Sequence, residues 1–251
     1  MRTVDTVLFD LDDTLHDDTS AYQTAARRVA EEIARERGAD AAAIFGAYVR
    51  VSNAFWKTLS SEHLQMPIHD TRVQLWFESL AVAGISDVAL AGRAAALYTT
   101  YRSDVLELSP GALDLVRELR ARGCKLGIVT NGFAATHHEK IDRLGLRSLV
   151  DELFIADEMG MVKPDPAIFA LACARLGSVP ERTAMVGDRY DRDVAGAQRA
   201  GLFTVLIDVH AIPLPEGAVP PDATVDTIAE VLAVLPTARH GALAAAPNPI
   251  P

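Results

Sequence analysis

Cysteine is nearly missing from this chain. Cys124 and Cys173 are the only two in 251 residues, too few for a disulfide framework and in keeping with a reducing cytoplasm. Missing too is any apolar run long enough to cross a bilayer, and the run at residues 4–11 is too short and too interrupted by Asp to read as a secretory signal. Positive charge is in short supply: 24 Lys and Arg face 34 Asp and Glu, and a formal net charge of −10 argues against binding a nucleic-acid polymer. A small phosphorylated ligand stays open, because a bound divalent cation reverses the local field. What is present, 49% hydrophobic and 23% charged residues, is the composition of a folded globular chain with length for one large domain or two modest ones.

Short apolar runs of buried-strand type fall at residues 6–10, 125–130, 153–156, 183–187 and 203–207. From residue 108 onward they alternate with amphipathic stretches at about 111–122, 134–144, 166–176 and 191–200, the pattern of an α/β fold with a Rossmann-like parallel sheet and helices on both faces. Residues 19–104 read differently. Helical periodicity at 22–37, 41–59, 71–83 and 87–102 with no convincing strand predicts an inserted all-helical domain, residues 17–108, with hinges near 16–18 and 108–111. The α/β core would then be 1–16 and 109–235, and the Ala- and Pro-rich stretch 236–251 a loose tail.

Ligands of open parallel sheets bind beyond the carboxyl ends of the strands. There the first strand is followed by three carboxylates, Asp10, Asp12 and Asp13, a charge that needs neutralising partners if it is buried. In an extended chain Asp10 and Asp12 would point to the same face, as a nucleophile with its acid/base partner or as two metal ligands. Asp is equally at home in a capped turn, and the segment alone does not choose. The other strand ends supply Thr130 and Asn131, then Asp188 with Asp193 five residues on, and Lys163 lies in a loop stiffened by Pro164 and Pro166.

In this order the motifs Asp10-Leu11-Asp12-Asp13-Thr14, Thr130-Asn131, Lys163-Pro164-Asp165-Pro166 and Gly187-Asp188 with Asp193 resemble those of the haloacid dehalogenase superfamily, over everything but the tail. The helical insert between the first two motifs is similar to that family's helical cap, and the short gap between the second and third leaves no room for its mixed-type cap. The resemblance implies a Mg²⁺-dependent phosphomonoester hydrolase acting on a small phosphorylated metabolite. Asp10 would be the nucleophile that forms an aspartyl-phosphate, and Asp12 the general acid/base. Mg²⁺ would be held by Asp10, the carbonyl of Asp12 and Asp188, while Asp193 would hold a metal-bound water or orient Lys163. Thr130, Lys163 and Asn131, the last through its backbone or its side chain, would bind the phosphoryl oxygens.

Dehalogenase members as a rule lack an acid at the position of Asp12, so its presence favours phosphoryl transfer. A phosphomutase shares the same core, and a binding protein that kept the fold without catalysis is the alternative of another class. The stretch 130–169 looks most like nucleotidase and sugar-phosphate phosphatase members. Arg189 and Arg192 stand where many relatives carry Ser and Asn, and pairing with Asp191 at the surface is the plainest role for them. His137 and His138, shortly after the second motif, could lie near the crevice, although at a helix start they read first as surface residues. Trp56, Trp76 and Phe77 have the spacing of a helical core, although one could line the substrate side. Arg50, Arg72 and Arg102 of the insert are candidates to reach a second anionic group. Nothing in the chain marks a membrane or nucleic-acid partner, and either a monomer or a homodimer is compatible with it.

Overall fold

In the computed structural model, which describes residues 3–237, six parallel strands form one sheet in the order β3-β2-β1-β4-β5-β6. The strands are β1 (Thr6–Phe9), β2 (Lys125–Thr130), β3 (Glu152–Ile155), β4 (Thr183–Gly187), β5 (Phe203–Ile207) and β6 (Ala223–Val225). Strand β1 lies in the middle, with Phe9 in register with Ile128 on one side and Val186 on the other. Because a strand alternates its faces, Val7 and Phe9 pack with α5 (Ala112–Ala121) and α6 (Ala134–Arg143), while Leu8 packs with α8 (Pro166–Arg175) and α9 (Ala195–Arg199). Both faces of the sheet are therefore dry, which explains the near-continuous apolar runs. Strand β6 has only three residues, between a Pro-rich loop and α10 (Val231–Val234), and carries too little pattern to be read from sequence.

Four helices fill the interval between β1 and α5: α1 (Asp18–Arg37), α2 (Ala41–Lys57), α3 (Ile68–Val82) and α4 (Val88–Asp104). Each packs on the next and α1 also packs on α4, so the four enclose a core of their own. Asp side chains cap three of them: Asp17 accepts from Ser20 N, Asp40 from Ala42 N and Asp87 from Leu90 N. The cap at Asp17 explains why α1 begins four residues before its apolar periodicity does. Trp76 is central here, fully buried and stacked on Tyr48 with ring centroids 4.2 Å apart. Trp76→Ala should lower unfolding free energy by about 3–5 kcal/mol, the cost of emptying so large a site; denaturant titration measures it, and a loss under about 1 kcal/mol would contradict this packing.

The chain enters and leaves the helical insert side by side, through an antiparallel bridge between His16 and Leu108 and a hydrogen bond from Ser109 N to Leu15 O. The expected helix at 191–200 is a wide turn over Tyr190–Val194 followed by α9. A further single turn, α7 (Ala156–Met159), follows β3 directly. Of the expected loose tail, Pro236 and Thr237 are held against Val4 at the amino end of the sheet, and residues 238–251 lie outside the described residues. No helix among the described residues is long and apolar enough to cross a membrane.

Candidate active site

Strand β1 stops at Phe9, and Asp10 follows with its N–H still bonded to Val186 O at 2.9 Å. Its buried carboxylate accepts from Leu11 N at 2.7 Å and lies 2.8 Å from Lys163 Nζ. Lys163 arrives on the loop between α7 and α8, where the Asn131 side chain clamps its backbone twice: Asn131 Nδ2 donates to Lys163 O at 2.9 Å, and Lys163 N donates to Asn131 Oδ1 at 2.7 Å. The same ammonium donates to Asp193 Oδ1 at 2.6 Å, and the second oxygen of Asp193 accepts from Arg189 N at 3.0 Å. Only glycine fits before this turn, since a Cβ at Gly187 would stand 2.4 Å from Asp193 Oδ2. Asp188 completes the cluster, accepting from His210 Nε2 at 2.9 Å and from Thr14 Oγ1 at 3.4 Å. Thr130 is buried at the end of β2, the strand beside Asp10.

Negative charge exceeds positive in this cluster. Burial pushes the Asp10 carboxyl up to about 6 despite the Lys163 charge, and burial also raises Asp188 and Asp193. For Lys163 burial works the other way, but the charges of Asp10 and Asp193 outweigh it and hold the ammonium protonated. Asp10, Asp188 and Asp193 each offer an oxygen within 4.8 Å of the others. Three buried hard-oxygen donors, two of them paired with one lysine, form a set that suits a hard divalent cation.

Asp12 belongs to a second, adjacent cluster. The alternation that would aim it alongside Asp10 ends with β1 at Phe9, and the chain turns through Asp13 in the left-handed region, φ 57°. Asp12 Oδ1 accepts from Lys140 Nζ at 2.6 Å, and Asp12 Oδ2 lies 3.5 Å from His137 Nε2. Burial and the Asp18 charge push the Asp12 carboxyl up, yet Lys140 and His137 outweigh them and hold it well below the usual carboxylate range. Asp13 serves the turn, accepting from Thr19 N at 2.8 Å and Thr19 Oγ1 at 2.7 Å, and burial raises it to about 6.

Several expectations need correcting. Of the two routes by which Asn131 would reach a phosphoryl oxygen, the side chain is spent on the Lys163 backbone. His137 is buried rather than at the surface, and a Cβ on Gly132 would stand 2.0 Å from its ring, so the glycine after Asn131 makes room for it. His138 is at the surface, bonded to Glu158 at 2.7 Å. Arg189 pairs with Asp191 at 3.1 Å as expected, but Arg192 reaches the helical insert and donates to Trp56 O. Trp76 is core, whereas Trp56 packs edge-on against Phe133 beside the Thr130-Asn131 loop, with ring centroids 6.0 Å apart. Arg72 donates to Thr99 and Thr136, Arg102 pairs with Asp18, and Arg50 is exposed. Two residues escaped sequence reasoning: His210, although it follows the strand end of β5, and Lys140, whose burial on α6 only the structure shows.

A family model, hydrolase: haloacid dehalogenase-like hydrolase, matches residues 4–201. The glyceraldehyde 3-phosphate phosphatase of Methanopyrus kandleri is 36% identical over 203 residues, 80% of this chain and 82% of that protein. The pyrimidine 5′-nucleotidase YjjG of Escherichia coli is 31% identical over 179 residues, 70% and 76% of the two chains. Among solved structures, the HAD-hydrolase YfnB of Bacillus subtilis bound to magnesium shares the fold with a TM-score of 0.75 at 24% identity, covering 93% of this chain and 99% of that one.

Proposed function

Since the chain belongs to the haloacid dehalogenase-like hydrolase family, we propose that it is a cytoplasmic phosphatase that hydrolyses a small phosphomonoester through an aspartyl-phosphate on Asp10. The observation that carries this reading is the buried Asp10 carboxylate at the sheet's carboxyl edge, paired with Lys163 and set beside Asp188. In the first half-reaction an Asp10 oxygen bonds to phosphorus as the bond from phosphorus to the leaving oxygen breaks, and Asp12 gives that oxygen its proton. In the second, Asp12 takes a proton from water, whose oxygen bonds to phosphorus as the Asp10 bond breaks and phosphate departs. The Lys140 ammonium favours the ionised Asp12 that this second half requires and works against the protonated form that the first half requires.

Asp10 and Asp188 would hold Mg²⁺ with the Asp12 carbonyl, and Asp193 would orient Lys163. The cation would supply positive charge that lets two anions approach and that offsets charge on the phosphoryl oxygens. Thr130, Lys163 and the Asn131 N–H would bind those oxygens. Helices α1–α4, within residues 17–108, would form a cap over the core made of 1–16 and 109–235, with Trp56 on the wall that meets the leaving group. Relatives named for glyceraldehyde 3-phosphate and pyrimidine 5′-nucleotides support a sugar-phosphate or nucleotide substrate.

Phosphate release from p-nitrophenyl phosphate, glyceraldehyde 3-phosphate and pyrimidine 5′-monophosphates tests this reading. It should fall at least about 10²-fold when metal is stripped with EDTA, and recover with Mg²⁺. No metal-dependent release from any of the three would sink the reading in favour of a binding protein. Isomerised sugar phosphate without free phosphate would identify a mutase.

A further inference from the structure

Lys140 is almost fully buried, at 2% exposure, yet it carries a charge and stands outside the Asp10 cluster. Lysine is seldom buried without paired partners, and this one has two. Its ammonium donates to Asp12 Oδ1 at 2.6 Å and to Asp18 Oδ1 at 2.8 Å. Asp12 lies in the core segment before the insert, and Asp18 is the first residue of α1. Asp18 in turn pairs with Arg102 in the last turn of α4, and His16 Nε2 lies 3.3 Å from Asp18 Oδ1 while His16 Nδ1 meets Glu107 O at 2.7 Å. A core helix thus places one cation where both crossings between the core and the helical insert meet.

On the other side of Asp12, His137 Nδ1 meets Phe133 O at 3.1 Å, which leaves Nε2 toward Asp12 Oδ2. The two carboxylate oxygens of Asp12 are therefore unequal. Oδ1 is held by a buried ammonium at 2.6 Å, and among the described residues Oδ2 has the ring nitrogen of His137 at 3.5 Å.

We propose that Lys140 is a positioning residue for the reaction: it holds one oxygen of Asp12, presents the other to the leaving-group oxygen, and through Asp18 ties that orientation to the helices covering the site. The inference rests on the phosphatase reading above. A group placed to deliver a proton matters most when the leaving oxygen is a strong base, and least for a phenolate that departs unaided. The informative quantity is kcat/KM, which reports steps up to departure of the leaving group, and not the later hydrolysis common to all substrates.

For Lys140→Met, kcat/KM should fall at least about 30-fold on whichever alkyl phosphate the wild type cleaves best, glyceraldehyde 3-phosphate or a pyrimidine 5′-monophosphate. On p-nitrophenyl phosphate it should fall no more than about 3-fold. Lys140→Arg, which keeps the cation, should restore most of the ratio between the two substrates. A purely structural role lowers the fraction of active enzyme and so lowers both values equally; equal losses, or no loss on either substrate, overturn the proposal. If circular dichroism shows Lys140→Met unfolded, Lys140→Gln, which keeps the stem and a polar tip, carries the same comparison with the same outcomes. A wild type that releases phosphate from none of these substrates would overturn the phosphatase reading instead.

Discussion

Asp10→Asn is expected to lower phosphomonoester turnover by on the order of 10⁵-fold or more while the protein stays folded. The amide is nearly isosteric but cannot form an acyl-phosphate bond, so under the proposed mechanism both displacements would be lost. Folding should survive because the substitution removes a charge the interior disfavours: burial pushes Asp10 up to about 6, so at neutral pH its ionised form is held at a cost. Lys163 keeps Asp193 as a partner at 2.6 Å. The melting temperature in metal-free buffer should therefore stay level or rise. Steady-state kinetics, calorimetry and a test for covalently bound phosphate check the three parts, and substantial turnover by the variant would rule out Asp10 as the nucleophile.

Lys163→Met is expected to cost both activity and stability. The Nζ atom lies between two buried carboxylates, 2.8 Å from Asp10 and 2.6 Å from Asp193, and a thioether of similar length leaves both uncompensated. Breaking a buried pair from one side destabilises by about 3–5 kcal/mol, because the remaining charge stays in a low-dielectric site or must take up a proton. Turnover should drop about 10³-fold, since in the proposed mechanism the same ammonium would face the developing charge on the phosphoryl oxygens. Added Mg²⁺ should recover part of the stability and little of the rate, as a cation can neutralise the carboxylates without replacing a fixed donor. Denaturant midpoints with and without Mg²⁺ measure this. A variant as stable as wild type in metal-free buffer would mean that the carboxylates do not depend on Lys163.

The Asp10 cluster was largely legible because each member follows an apolar run at one edge of one sheet, and buried parallel strands advertise themselves as such runs. His210 obeys the same rule after β5, and the run of Val209, His210 and Ala211 concealed it by looking like ordinary loop. The Asp12 cluster was not legible. Lys140 comes from the middle of α6, 128 residues from Asp12, and Asp18 comes from the first turn of another helix. No spacing rule links them, and the same letters on an exposed helix face would be solvated side chains of little consequence.

Local patterning by itself determined the alternating strands and helices of the core, the all-helical insert, and the residue types at each strand end, because apolar periodicity and backbone constraints act over a few residues. Only the tertiary structure decided which charges share a site. It gave Asp10 and Asp12 different lysines, spent the Asn131 amide on the Lys163 backbone, buried His137 under Gly132, and sent Arg192 to Trp56 instead of to an acid. The physical reason is that electrostatic pairing depends on distance and burial after the chain has folded. Neither quantity is a property of a short stretch of sequence.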